Sequence, residues 1–186
     1  MSNLNRELKG KHSVVIVGEE FVEKRIKKEF YSNFLREKLA LQRLKKYDFV
    51  PKLISYDEKN LSIKMEKVQG INLLTIIKLY KNNRLGKELI LSIFKNLFKI
   101  CFFLDVEGVY KDEWNRPFKH IIITEKNIKV IDFDRSLFNT SRKNVLQFLS
   151  FVFGFWNFFG QKGNFRHLYD FCVFYGNQIE RYQKFR

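Results

Sequence analysis

The sequence predicts an α+β fold, with a small β-rich half over residues 1–68 and a larger, mostly helical half over residues 69–186. Short β-branched or alternating runs, such as Ser13-Val-Val-Ile-Val17 and Phe21-Val-Glu-Lys-Arg-Ile26, crowd the first half. Helical spacing dominates after Gly70 and is strongest from Leu85 to Asp105. A content of 45% hydrophobic residues over 186 positions supplies a core and excludes wholesale disorder.

Taken in order, residues 1 to 10 read as a short polar lead into the first strand, Ser13 to Val17, which ends at Gly18. Gly18-Glu-Glu then reads as a hairpin turn into the strand Phe21 to Ile26. From Glu29 to Lys46, apolar residues at 30, 34, 35, 39 and 44 give a helix on a charged background, which Pro51 should break. Lys52 to Tyr56 and Leu61 to Met65 are two strands around the turn Asp57-Glu-Lys-Asn60. The boundary between halves falls near Glu66 to Gly70. Ile71 to Tyr80 reads as a short helix. Leu85 to Asp105 is a long one, with apolar positions 85, 89, 93, 97, 100, 101 and 104. Two short strands follow, His120 to Thr124 and Ile128 to Ile131, joined by Glu125-Lys-Asn127. The tail from Asn144 to Phe185 is helical and rich in aromatics.

The formal net charge of +15 fits either a solvated basic surface or an anionic partner, such as nucleic acid or a phosphate-rich ligand. The two cysteines, Cys101 and Cys172, lie in apolar helical patterns without metal-type spacing, so they read as buried free thiols in a reducing cytoplasm. The N-terminus carries no apolar signal region. The run Val145 to Phe159 is too short, and too interrupted by Gln147, Ser150 and Asn157, for a membrane span.

The chemistry-bearing positions fall in two acidic clusters about twenty residues apart. One lies within Gly108-Val-Tyr-Lys-Asp-Glu-Trp-Asn-Arg-Pro-Phe-Lys-His120, and the other is Ile131-Asp-Phe-Asp134 at the end of a strand. That layout suits phosphoryl transfer: one acid orients a hydroxyl nucleophile, and another holds Mg²⁺ against nucleotide phosphates.

Together these segments resemble the small predicted serine/threonine protein kinases of archaea, atypical relatives of the RIO-type kinases, over most of residues 8 to 153. The resemblance implies a two-lobed protein-kinase-like fold with a reduced helical C-terminal lobe. It implies that Lys24, closing Phe21-Val-Glu-Lys24, pairs the phosphates of ATP, and that Glu37 on the next helix forms an ion pair with it. Met65-Glu66-Lys67-Val68 resembles the hinge that holds the adenine edge, with Glu66 among the nucleotide-binding residues. Glu113 aligns with the catalytic acid, and Asp112 is the alternative. Asp132 of Asp132-Phe-Asp134 resembles the Mg²⁺ ligand of the Asp-Phe-Gly motif, with an acid in place of the glycine. His120 falls where a metal-binding Asn is usual; imidazole is the poorer Mg²⁺ donor, so either Asn115 takes that role or the second metal is held differently or is absent. Arg116 and Lys119 are candidates to contact phosphate or to pair with Asp112 or Asp134. Backbone amides of Lys11 to Ser13 are the candidates to cap the phosphates.

The function the resemblance implies is ATP-dependent transfer to a Ser or Thr hydroxyl with Mg²⁺ or Mn²⁺ as cofactor. Only about ten residues separate Asp134 from the next helix, too few for a long activation segment or an extended peptide groove. Two rivals remain at this stage. One is a non-catalytic nucleotide-binding scaffold of the same fold. The other is an RNA-associated ATPase, motivated by the charge and by the aromatic, basic stretch from Phe165 to Arg186. A small-molecule kinase is a further option.

Overall fold

A computed structural model describes residues 6–158. In chain order the elements are β1 (Arg6–Lys9), β2 (Ser13–Val17), β3 (Phe21–Ile26), α1 (Tyr31–Arg43), β4 (Leu53–Asp57), β5 (Ser62–Glu66), β6 (Ile71–Asn72), α2 (Leu73–Lys81), α3 (Lys87–Val106), β7 (Val109–Tyr110), β8 (Ile121–Ile123), β9 (Ile128–Val130), β10 (Leu137–Phe138) and α4 (Asn144–Phe158). The fold is mixed α+β. It divides into two compact units, one of Met1–Ile76 with Phe118–Ser136 and the other of Ile77–Pro117 with Leu137–Arg186. The stretch Glu66 to Gly70 therefore lies inside the first unit, because β8 returns to pair with β6 and β9 pairs with β8.

The first unit is built on an antiparallel sheet of order β1-β2-β3-β5-β4. Directly opposed residues in such a sheet share a face. Val15 opposes Lys24, Lys24 opposes Ile63, and Val22 opposes Met65, so these five side chains share one face. Ser13 opposes Ile26 on that same face, and Ser13, Ile26, Ile63 and Met65 are buried. The other face of β3 is polar: Arg25 Nε donates to Glu23 Oε1 at 2.7 Å, and Lys64 sits over the Phe21 ring. The alternation of Phe21-Val-Glu-Lys-Arg-Ile26 thus sends Lys24 to the core side. Arg6–Lys9, expected as a polar lead, is an edge strand with all four residues exposed; its composition suits an edge that faces water.

Helix α1 packs against β3, β4 and β5. Its inward stripe is Phe34, Glu37, Ala40 and Leu41, at the three-to-four spacing of one helix face. Leu35 and Leu39, expected among the inward positions, fall off that stripe and are exposed. The helix ends at Arg43, where Leu44 and Tyr47 close a turn through Leu44 N to Ala40 O and Tyr47 N to Leu44 O. Pro51 comes later and does not end it. Lys38 Nζ donates to Glu58 Oε1 at 2.7 Å, tying α1 to the β4–β5 turn. The smaller sheet of this unit has the order β6-β8-β9. The expected helix from Ile71 starts two residues later, because Ile71 and Asn72 are drawn into pairing with Ile123 and Ile122.

In the second unit, α3 buries Ile90, Ile93, Phe94, Leu97, Ile100, Cys101 and Leu104 against α4. Leu85 precedes this helix and Leu89 lies on its exposed side, so Ile90 takes the inward place expected of Leu89. Phe94, Phe148 and Phe151 form an aromatic cluster that Trp114 joins through Phe148. Asp105, buried at the end of α3, accepts hydrogen bonds from the Asn144 and Val145 amides at 2.7 and 3.1 Å and so caps α4. Asn144 Nδ2 donates to Asp105 Oδ1 and to the Val109 carbonyl, while its Oδ1 accepts from Lys111 N. Two-residue strands β7 and β10 pair nearby; runs this short carry no periodicity to read. Cys101 is free and buried, and burial pushes its thiol up. Among the described residues, no helix is long and apolar enough to cross a membrane. Cys172, the tail beyond Phe158 and the stretch Phe165 to Arg186 lie outside the described residues.

Candidate functional site

Within the first unit, the inward face of the β2–β3–β5 sheet opens on a cavity of about 440 Å³. Val15, Val22, Met65, Pro51, Ile122 and Ile131 give it apolar walls, and Val68 and Glu66 lie at one margin. Gly10, Lys11, His12 and Ser13 line it from the β1–β2 turn. That turn is closed by Gly10 N donating to the Ser13 carbonyl at 2.8 Å. Its outer side is braced by Lys27 N on the His12 carbonyl and by the His12 ring against Phe30.

The polar part of the cavity gathers four charged residues from three elements. Lys24 comes from β3, Glu37 from the inward stripe of α1, and Asp132 and Asp134 from the segment after β9. Lys24 Nζ donates to Asp132 Oδ1 at 2.7 Å. Glu37 Oε2 stands at the same distance from Lys24 Nζ as an ion-pair contact, and Asp134 Oδ2 is at 4.0 Å. Asn33 Nδ2, one turn before Glu37 on α1, donates to Asp134 Oδ2 at 3.2 Å. His120 Nδ1 is 3.4 Å from Asp132 Oδ2, and the His120 carbonyl accepts from Ile131 N. Asp132 adopts φ 65°, a left-handed backbone that Asp tolerates better than most residues.

Burial pulls the Lys24 ammonium down, but the carboxylates of Glu37, Asp132 and Asp134 more than offset it and hold the amine above the ordinary lysine range. Burial pushes the Glu37 carboxyl up, and Lys24 pulls it back only in part. One ammonium against three carboxylates leaves a formal charge of +1 − 3 = −2 on this group. A divalent cation would cancel that charge. The donors are hard carboxylate oxygens, the set Mg²⁺ takes when one or two carboxylates share it with phosphate oxygens. Asp132 and Asp134 therefore fit such an ion by chemistry. Among the described residues, no group of three or more His, Cys, Asp or Glu is arranged as a self-sufficient metal site.

The end of β5 and the residue after it are fastened to the segments that lead into β4 and β3. Glu66 N donates to the Lys52 carbonyl, Lys67 N to the Glu20 carbonyl, and Lys67 Nζ to the Gly18 carbonyl. Glu66 Oε2 accepts from Lys52 N at 3.0 Å and from buried Lys129 at 2.9 Å. Burial pushes the Glu66 carboxyl up, but these donors outweigh it and hold the carboxyl below its ordinary value.

Lys24 is thus in contact with Glu37 and Asp132, His120 is in contact with Asp132, and Lys11, Ser13 and Glu66 line the same cavity. Asp112, Glu113 and Asn115 belong to the second unit. There Glu113 Oε2 lies 3.4 Å from the buried Lys111 ammonium, Asp112 Oδ1 is 3.9 Å from Arg142, and Asn115 is exposed. Asn33, Lys129 and the apolar lining were not read as site residues. Asp134 reaches the same group through the turn after Asp132, whose left-handed backbone is not extended strand, so strand alternation does not predict it. Asn33 carries no sequence signal, because a polar residue in the first turn of a helix is ordinary. No protein-family model matches the chain, and no curated protein matches it either.

Proposed function

We propose that this chain is an atypical serine/threonine protein kinase with a reduced, two-lobed protein-kinase-like fold, transferring the γ-phosphoryl group of ATP to a hydroxyl with Mg²⁺. The observation that carries this reading is the position of Lys24 Nζ, 2.7 Å from both Glu37 and Asp132 inside an apolar-walled cavity. A buried lysine between a helix glutamate and a strand-end aspartate is costly to build for stability alone. It is useful where phosphates and a metal must be held side by side.

On this reading, Val15, Val22, Ile122 and Ile131 enclose the base, and the segment around Val68 supplies backbone groups to its edge. Lys24, steadied by Glu37, takes the phosphates. Amides of Lys11 to Ser13 cap them from the β1–β2 turn. Asp132 and Asp134 hold the cation, which when bound neutralises charge developing on the phosphate oxygens. The acid that orients the hydroxyl is Glu113 by resemblance, with Asp112 as the alternative.

The test is transfer of labelled γ-phosphate from Mg-ATP to the protein itself and to a generic basic substrate, comparing wild type with Asp132→Ala. Transfer by wild type that the variant lacks supports a kinase; no transfer and no free phosphate from either refutes catalysis. Glu113→Gln and Asp112→Asn in the same tubes separate the two candidate acids. A second reading, a nucleotide-binding scaffold without catalysis, is favoured by one observation: Glu113 and Asp112 already have cationic neighbours in Lys111 and Arg142.

A further inference from the structure

We propose that Lys24 and Asp132 form a resting latch, each occupying the other's ligand position, so that an anionic nucleotide and its divalent cation enter the site together and not singly. This rests on the nucleotide-binding reading above and adds to it a mode of regulation.

The geometry is reciprocal. An ammonium has three donors. Those of Lys24 face Glu37 and Asp132 at 2.7 Å, with Asp134 at 4.0 Å. A phosphate approaching Lys24 alone meets three carboxylates, a formal −2 after Lys24 is counted, and is repelled. A cation approaching Asp132 alone meets the Lys24 ammonium on Oδ1 and His120 on Oδ2. With both present, Asp132 would exchange Lys24 for the cation and Lys24 would exchange Asp132 for the phosphate, so that both side chains would keep a partner of opposite charge. Glu37 stays on Lys24 throughout, because it is buried and fixed on the inward stripe of α1. The flexible lysine stem supplies the movement. The φ of 65° at Asp132 fixes where that carboxylate waits.

The experiment is titration with a fluorescent ATP analogue, in EDTA and in Mg²⁺, of wild type, Asp132→Asn and the double variant Lys24→Gln/Asp132→Asn. Asn keeps the side-chain shape and tolerates the left-handed backbone. The latch reduces apparent affinity by the fraction of molecules in which it is open. Asp132→Asn in EDTA is therefore expected to bind about tenfold tighter than wild type in EDTA, and to gain little from Mg²⁺. The double variant should lose that gain. Wild type binding the Mg²⁺ complex while Asp132→Asn gains nothing in EDTA overturns the latch and leaves nucleotide binding standing. A gain that survives in the double variant also overturns it. No binding by wild type in either condition overturns both. Thermal shifts of the wild type alone cover the case in which Asp132→Asn does not fold: nucleotide plus Mg²⁺ should shift the melt by more than the sum of each alone, and a purely additive shift refutes the latch.

Discussion

Lys24→Met is the most informative single change. Lys24 is a side chain 13% exposed beside Glu37, which is 2% exposed. Removing the ammonium leaves the Glu37 carboxylate in the protein interior facing Asp132 and Asp134. Breaking a buried pair by deleting one partner costs about 3–5 kcal/mol, because the survivor is left charged and unsolvated. Asp132 and Asp134 lie closer to water and relax more easily, so the lower end applies, about 3 kcal/mol. At a urea slope of about 2 kcal/mol per molar, that lowers the unfolding midpoint by about 1.5 M.

The loss also carries a pH signature. Burial already pushes the Glu37 carboxyl above its ordinary value of 4.5, and without Lys24 nothing nearby pulls it down. The folded variant then holds a proton that the unfolded chain releases, so its stability rises as pH falls from neutral towards 4.5. Urea titrations followed by circular dichroism at pH 7.5 and pH 5 should show the gap to wild type narrowing at the lower pH. Lys24→Met/Glu37→Leu, which removes both charges, should recover most of the loss and be insensitive to pH over that range. A single-variant loss below about 1 kcal/mol, or strict additivity in the double variant, refutes the claim that this is a buried, coupled pair.

Three further outcomes follow from other parts of the molecule. Asn144→Ala should lower stability by about 3 kcal/mol in chemical denaturation, because it strips partners from buried Asp105, from Lys111 N and from the Val109 carbonyl at once. Gly70→Ala should cost about 2 kcal/mol, since the added Cβ would stand 2.3 Å from the Ile123 carbonyl oxygen, a backbone atom that cannot swing away; a neutral Tm would contradict it. Glu66, held below its ordinary value by Lys52 N and Lys129, adds stability above pH 4.5 that is lost as pH falls through its folded value. The melting difference between wild type and Glu66→Gln should therefore shrink from pH 7 to pH 3, and a constant difference would rule that contribution out.

The legible parts of this chain are those in which one short period decides the outcome. The strand from Ser13 follows from its β-branched run, the strand from Phe21 from its alternation, and the turn between them from Gly18. The inward face of α1 was harder to read. Its most telling inward residue is Glu37, and a polarity pattern counts a glutamate as solvent-facing, so the apolar periodicity was drawn to Leu35 and Leu39. Lys24 is the same case on a strand: the alternation assigns it to the core side, where a lysine contradicts its own hydropathy. Each residue breaks the local rule, and the two breaks compensate each other at 2.7 Å. Paired violations of this kind are what a functional site is expected to leave in a sequence. Asn33 escaped because it breaks no rule, and Lys129, although it is buried, because its role, like that of Asn33, depends on which distant carboxylate the fold brings to it: Asp134 for Asn33 and Glu66 for Lys129. Such long-range partnership has no local signature. The acids of the segment 131–134, with Lys24 and His120 that touch Asp132, could therefore be recognised from the sequence, whereas Asn33, which orients Asp134, could not.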